Sequence, residues 1–398
     1  MQSKVIRIAL ISFEFPPETV FGGIGTYAGQ QAKLLAENGW QVEVFSSTAG
    51  PDTRVQGIND LITVHRISAD NRAVFRNRVH LIVKKIHLYN PFDLIESPEF
   101  GAEGFFIKKS LPDIPLVVKC HTPHFLINRI EQSQKRGLGY LKGVINTPRF
   151  FPILDKEYRL AKMANAITAP SVSLANIIAD YWNFGPGQVK VVPYPYHPSP
   201  ELLQIPIGNN WNTITYLGRL EVRKGVHLLA EVIPVVVQMF PDILFRFVGK
   251  TGPSLNPEIS MRDYLEAKLQ KYSRNIEFID GVPPDLIPQY LGKTDICVFN
   301  SLWENFPNVC LEAMSAGRAI VASRQGGMED MLADISPESL VDPTDLNAIA
   351  EKIINFLSHP LLRIESGLMS RNKILNYYDA EVKKMNLDFY KGVINVKK

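Results

Sequence analysis

A repeated order constrains the fold of this chain most: a short apolar run, a loop, then a helical periodicity, through both halves of the sequence. In the first half the runs are Val5–Ser12, Val42–Phe45, Leu61–Ile67, Leu94–Glu96, Leu116–Cys120, Ala166–Ala169 and Val189–Val192. Short continuous apolar runs suit strands buried on both faces. Helical patterns separate them: a segment ending at Glu37 with Tyr27, Gln31, Leu34 and Leu35 at helical spacing, then Val74–Tyr89, Ala102–Ser110 and Ser171–Tyr181. Asn38-Gly39 is the expected stop of the first. Alternation of this kind commits the chain to a parallel sheet with helices on both faces.

Prolines then cluster at 193, 195, 198, 200 and 206, followed by Gly208-Asn209-Asn210, as expected of an interdomain linker. The second half repeats the logic. Its strands are expected at Thr213–Leu217, Leu244–Val248, Ile276–Ile279, Ile296–Phe299 and Ala319–Ala322. Its helices are expected at Val226–Met239, Ser260–Tyr272, Pro284–Leu291, Val309–Ala316 and Leu346–Leu357, with a strand-free helical tail from Leu361 to Asn395. The expectation is α/β: two doubly wound domains, 1–200 and 201–376, facing a central cleft, and a helix over 377–398 packing back on the first. Ligands of such sheets sit beyond the carboxyl ends of the strands.

Composition excludes several classes. With 45% hydrophobic and 21% charged residues the chain is neither disordered nor a disulfide scaffold. The net charge of +3 is too small for a dedicated nucleic-acid binder, so none is expected as partner. Residues 1–200 hold 22 basic against 16 acidic residues, a balance of +6, so this half is suited to an anionic partner. Three cysteines without a C-x-x-C, Cys120, Cys297 and Cys310, fit a reducing, cytoplasmic setting. Arg7 and Glu14 interrupt the first apolar run too early for a secretory signal.

The strongest chemical signal follows strand Ile296–Phe299. Asn300-Ser301-Leu302-Trp303-Glu304-Asn305-Phe306-Pro307-Asn308 opens a helix that carries Glu312. Such a loop presents backbone donors and a positive helix end, which suit phosphate. Glu304 and Glu312 have the chemistry to accept hydrogen bonds from sugar hydroxyls; the plain alternative is a helix-start acid and a solvated helix residue. Tyr216-Leu217-Gly218-Arg219-Leu220-Glu221-Val222-Arg223-Lys224-Gly225 follows the domain's first strand. Arg219 and Lys224 there suit a diphosphate, the alternative being a basic surface loop. His121 ends strand Leu116–Cys120, placed to bond a hydroxyl or phosphate unless it is structural; His124 is less favoured. Gly22 and Gly23 precede the first helix, where glycine admits a phosphate, though the spacing is no G-x-G-x-x-G. No Asp-x-Asp, P-loop or G-x-S-x-G occurs, and no His/Cys cluster has zinc spacing, so no metal is expected.

Together these segments resemble the GT-B retaining glycosyltransferases of glycosyltransferase family four, across essentially the whole chain. The most specific element is E-x7-E, Glu304 to Glu312, continued by Arg318-Ala-Ile-Val-Ala-Ser323. Gly218-Arg219-Leu220 with Lys224-Gly225, Phe21-Gly22-Gly23-Ile24-Gly25 and Gly281-Val282 match three further family motifs in order. The resemblance implies two Rossmann-like domains, the first binding acceptor and the second the nucleotide sugar. It implies that Glu304 contacts the donor sugar, that Asn305, Phe306, Pro307, Asn308 and Val309 line sugar and phosphate, and that Glu312 holds the ribose. Arg219 and Lys224 would stabilise the leaving diphosphate. His121 would lie near the sugar, and Gly22, Gly23, Gly249, Lys250 and Val282 would complete the donor site. The chain departs from the family at Asn305-Phe306-Pro307, where many members have Gly-Phe-Gly.

The implied reaction is metal-independent transfer of a hexose with retention, UDP-glucose being the leading donor. The acceptor would be a glycan or lipid-linked saccharide of envelope or exopolysaccharide assembly. The acid-free run Arg72–His87, with Arg72, Arg76, Arg78, Lys84 and Lys85 beside the stripe Val79, Ile82, Val83 and Ile86, marks an anionic membrane surface as a candidate partner. The chain would then be cytoplasmic and peripheral on the inner membrane face. A second basic stretch runs from Arg129 through Lys135, Arg136 and Lys142 to Arg149. A solvated helix face is the alternative for the first run. The alternative function is a nucleotide-sugar epimerase, or a non-catalytic sugar-nucleotide binder.

Overall fold

The computed structural model describes residues 5–19, 22–56, 60–133, 154–256 and 258–395. Phe21 and most of the second basic stretch, including Lys135, Arg136, Lys142 and Arg149, lie outside the described residues. The chain forms two compact units, Met1–Tyr196 with Glu381–Lys398, and His197–Ala380.

In the first unit the strands are β1 (Arg7–Ile11), β2 (Gln41–Thr48), β3 (Thr53–Gln56), β4 (Ile62–Ser68), β5 (Leu94–Pro98), β6 (Leu116–Lys119), β7 (Ala166–Ala169) and β8 (Val189–Val191). They lie in the order β3-β4-β2-β1-β5-β6-β7-β8. β1 is buried at all five positions, as a central strand covered on both faces must be. Every pairing is parallel except β3 with β4, which is antiparallel. The sequence reading missed β3, because four residues of mixed polarity on a sheet edge carry no burial signal. It also missed the helices His124–Ser133 and Lys156–Met163.

In the second unit β9 (Thr213–Leu217), β10 (Leu244–Val248), β11 (Ile276–Ile279), β12 (Ile296–Phe299), β13 (Ala319–Ser323) and β14 (Leu340–Val341) form a parallel sheet. Its order is β11-β10-β9-β12-β13-β14. The two-residue β14 and the short helix Gly327–Leu332 went unforeseen. The helix expected over Ser260–Tyr272 ends at Lys268 and passes into a 3₁₀ turn, Gln270–Asn275. Both units are thus doubly wound α/β layers, and their site-bearing loops leave the carboxyl ends of parallel strands.

The tail is helical over Pro360–Lys373, wide-turned over Ile374–Glu381, and helical again over Val382–Asn395. Its last helix joins the core of the first unit. Tyr390 packs among Ile8, Leu10, Leu35 and Trp40. Its hydroxyl and that of Tyr27, the latter at 2.6 Å, donate to opposite oxygens of the buried Glu96. Asn386 Nδ2 donates to Pro193 O at 2.9 Å. Burial raises the Glu96 carboxyl; the two tyrosines and Lys119 oppose it. Lys119, buried beneath the rings of Tyr27 and Tyr194, is pushed down to about 7 by that burial, against the pull of Glu96. No helix among the described residues is long and apolar enough to cross a membrane.

Tyr390→Ala removes a buried ring and leaves one Glu96 oxygen unpaired. It should cost roughly 3–5 kcal/mol in chemical denaturation. A loss below about 1 kcal/mol would show that the last helix does not brace this core.

Candidate functional site

In the second unit, four successive carboxyl ends carry the residues singled out from sequence. Val282 follows β11, Gly249 and Lys250 follow β10, Arg219 and Lys224 follow β9, and Glu304 follows β12. β9 and β12 are neighbours, so their two loops meet. Leu302 N donates to Arg223 O at 2.9 Å, and Asn300 Nδ2 to Gly225 O at 2.7 Å. Gly225 has φ +68°, and a Cβ there would stand 2.1 Å from Asn300 O. No other residue permits that approach. On the far side, Gly327 N donates to Glu304 O at 2.8 Å, and a Cβ on Gly326, φ +92°, would meet the same oxygen at 1.9 Å. The loop that carries Glu304 is thereby held by two glycine-dependent contacts, one at Asn300 and one at Glu304 itself.

The Glu304 side chain is buried, and its Oε1 gathers the donors. Lys224 Nζ pairs with it closely, Ser301 Oγ donates at 3.2 Å, and Arg223 Nη1 lies at 3.5 Å. Burial would raise this carboxyl, but the charges of Lys224 and Arg223, with the bonds from Lys224 and Ser301, hold it below its ordinary value. Burial lowers the Lys224 ammonium, and Glu304 only partly restores it. Glu304 is therefore an ionised acid inside a cationic pocket rather than a helix-start residue on the surface. Arg219 is different: its side chain is 60% exposed and touches Glu221 at 3.3 Å. Its carbonyl accepts the Tyr216 hydroxyl at 2.9 Å, which pins the loop and leaves the guanidinium outside.

Helix Asn308–Ser315 starts directly behind, with Pro307 as its N-cap. The proline costs the helix no internal bond there, because the first turn's N–H groups have no intrahelical acceptor. Phe306, expected to line the donor, instead turns its ring into the core against Tyr378, at 5.9 Å between centroids. Its N–H already donates to Asn305 Oδ1 at 2.6 Å. Asn305, Asn308 and Val309 are half-buried at the helix mouth. Glu312 is half-buried too, and burial without an opposing cation pushes its carboxyl up to about 7. The Lys250 side chain is exposed and packs beside Gly281, and Val282 is half-buried.

His121, Gly22 and Gly23 belong to the first unit. His121 is buried, its N–H bonded to both Glu99 oxygens at 2.8 Å and its Nδ1 paired with the Tyr194 hydroxyl. Burial lowers the imidazole far below its ordinary value, with Lys119 and Arg72 adding repulsion, so the ring is neutral. Gly22 is the N-cap of helix Gly23–Glu37. A Cβ on Gly22 would touch only Glu14 at 3.9 Å and one on Gly23 nothing, so the chain's own packing does not demand glycine at either position. Sequence reasoning missed Arg223, Glu221 and Ser301. The close opposite charges of Arg219, Glu221 and Arg223 at every second position were the available signal.

Two family models match. One, described as Glycosyltransferase Family 4, covers residues 21–199; the other, Glycosyl transferases group 1, covers residues 212–359. The chain belongs to this glycosyltransferase family. It is 24% identical to a D-inositol 3-phosphate glycosyltransferase of Corynebacterium urealyticum, over 98% of this chain and 96% of that protein. Among solved structures it resembles the sucrose-phosphate synthase of Thermosynechococcus elongatus, with a TM-score of 0.73 at 20% identity, covering 98% of this chain and 100% of that one. Anabaena HepE, solved in complex with UDP, matches with a TM-score of 0.66 at 16% identity, over 98% of this chain and 100% of HepE. The fold is thus that of the GT-B glycosyltransferases.

Glu312 supplies a pH test. Its folded carboxyl keeps a proton to about 7, whereas its ordinary value is 4.5. Ionisation therefore costs stability progressively between those values and fully above them. Glu312→Gln should raise the thermal midpoint at pH 8, with the gain largely gone at pH 5. An equal gain at both pH values would contradict this environment.

Proposed function

We propose that the chain transfers a hexose from a nucleotide diphosphate sugar, UDP-glucose the leading candidate, to a glycan or lipid-linked acceptor in envelope or exopolysaccharide assembly. The carrying observation is the cluster of Lys224 and Arg223 on buried Glu304, with Arg219 exposed beside it, at the mouth of helix Asn308–Ser315. The UDP complex of the HepE neighbour supports the nucleotide. The domain over 201–376 binds the donor and that over 1–200 the acceptor. Glu304 accepts hydrogen bonds from the sugar, and Glu312, Gly249, Lys250 and Val282 hold the nucleoside. Asn308 and Val309 offer N–H groups to phosphate.

The bond from the sugar's anomeric carbon to the diphosphate breaks as the acceptor oxygen bonds that carbon on the same face. The acceptor's proton passes to the departing phosphate. Arg219 and Lys224 stabilise the charge that develops there, so no metal is required. Neutral His121 bonds a sugar hydroxyl without competing for the proton, and Gly22 and Gly23 leave room for the donor's phosphates.

Calorimetry and turnover test this reading. Glu304→Ala should weaken UDP-glucose binding while sparing UDP, and Glu312→Ala should weaken both. Arg219→Ala should lose about 10²-fold in turnover, and dialysis against EDTA should leave activity intact. Equal losses of both ligands in Glu304→Ala would reject the sugar assignment. Release of nucleoside diphosphate should depend on acceptor; a protein that binds the donor and shows no acceptor-dependent release would favour an epimerase or a binder.

The membrane proposal requires a different residue set from the one expected. Arg72 pairs with Glu14 and Glu103, Arg76 donates to Gly101 O at 2.6 Å, and Arg78 reaches Asp52 at 2.9 Å. Val79 and Val83 are fully buried and Ile82 and Ile86 half-buried, so the expected apolar stripe packs largely against its own unit. The outward stripe of helix Arg72–Tyr89 carries Val74, Leu81 and Leu88 at intervals of seven, with Tyr89, Lys84 and Lys85 exposed alongside. This basic, apolar face suits anionic lipid. Vesicles rich in anionic lipid should co-sediment the protein at low salt, and Lys84→Gln with Lys85→Gln and Leu88→Ser should abolish it. A wild-type protein that ignores such vesicles makes the helix an ordinary solvated face.

A further inference from the structure

The cation cluster contains a carboxylate that the donor reading leaves without a task. Glu221 sits between Arg219 and Arg223, and its Oε1 accepts from both, at 3.3 Å and 2.8 Å. It stands at the N-cap of the 3₁₀ turn Val222–Lys224 yet makes no side-chain capping bond. Its backbone carbonyl, not its carboxylate, closes that turn with Lys224 N at 3.1 Å. The side chain is 15% exposed, so its charge is screened weakly. Along the loop the charges run Arg219, Glu221, Arg223, Glu304, Lys224, each touching the next. Three cations face two anions, and the free protein neutralises most of its own diphosphate-binding charge.

We propose that Glu221 is an internal counter-anion that competes with the diphosphate for Arg219 and Arg223, and so sets how fast the nucleoside diphosphate product leaves. The proposal rests on the donor reading above. When the diphosphate arrives, the two guanidiniums exchange one carboxylate oxygen for phosphate oxygens, and the carboxylate left behind repels the bound phosphates. When the sugar has gone, Glu221 takes the arginines back and the nucleotide dissociates. Glu304 does not serve this purpose, because Lys224 and Ser301 hold it and the sugar engages it. Glu221 is a positioning residue: it acts through the arginines and touches no reacting atom.

Removing that charge should tighten product binding. Glu221→Gln keeps the size and an acceptor oxygen but not the charge. UDP, GDP and ADP are titrated calorimetrically against wild type, Glu221→Gln and Glu351→Gln, the last losing an exposed charge on helix Leu346–Ser358, outside the cation cluster. Glu221→Gln should bind the preferred diphosphate about tenfold more tightly, with a steeper salt dependence and a slower kcat limited by release. Glu351→Gln should stay within twofold of wild type. Unchanged or weaker binding in Glu221→Gln overturns the proposal and makes Glu221 a strut for the arginines, since a lost strut does not tighten a ligand. Inorganic pyrophosphate separates this from the donor reading. Wild type that binds pyrophosphate but none of the nucleotides would reject the nucleotide assignment, while a tenfold gain for pyrophosphate in Glu221→Gln would uphold the counter-anion. Equal pyrophosphate binding by the two proteins overturns it whatever the nucleotides do.

Discussion

A carboxylate taken out of water must find a cation or take up a proton, and the second unit is organised around one that found two. Glu304 is buried with Lys224 and Arg223 on a single oxygen. Such a pair repays its desolvation only when the geometry is held tightly. Holding it is the work of the backbone. Gly225 lets the β9 loop press against Asn300, and Gly326 lets the next loop press against Glu304 itself. The neighbouring placement of β9 and β12 brings the two loops together, and the glycine contacts and the ion pair form where they meet.

The same economy of charge explains why the two glutamates of one motif behave oppositely. Glu304 is held ionised by its cations, whereas Glu312, eight residues on and without a cation opposite, keeps its proton to about 7. Environment separates two chemically identical groups into a fixed anion and a titrating one. In the first unit, Glu96 takes a third course and fills its oxygens with the hydroxyls of Tyr27 and Tyr390. That bond draws a helix from the end of the chain into a core built by its beginning.

The basic helix shows how charge read along a sequence misleads. Arg72, Arg76 and Arg78 look like lysines in a list of cations, but the guanidinium fork lets each return to a carboxylate or carbonyl of its own unit. What faces outward is a smaller set, two lysines among exposed apolar side chains. Counting charges located the element; bonds decided which residues are available.

The sequence by itself determined the alternation of strand and helix, and with it two parallel-sheet units and the sheet edge on which a site must lie. Periodicity and apolar run length are local properties that the backbone geometry converts directly into elements. It also determined Arg219, Lys224, Glu304 and Glu312 as candidates, because their motif spacings are local as well. The antiparallel β3, the two-residue β14 and the helix Lys156–Met163 were decided elsewhere, by edge pairing and by packing that short segments do not encode alone. So were the core role of Phe306 and the partners of Glu304 and Glu221. Lys224 and Glu304 are eighty positions apart in the chain, and no local pattern records which cation a buried acid will meet. That choice belongs to strand order, since β9 and β12 become neighbours only when the sheet is assembled.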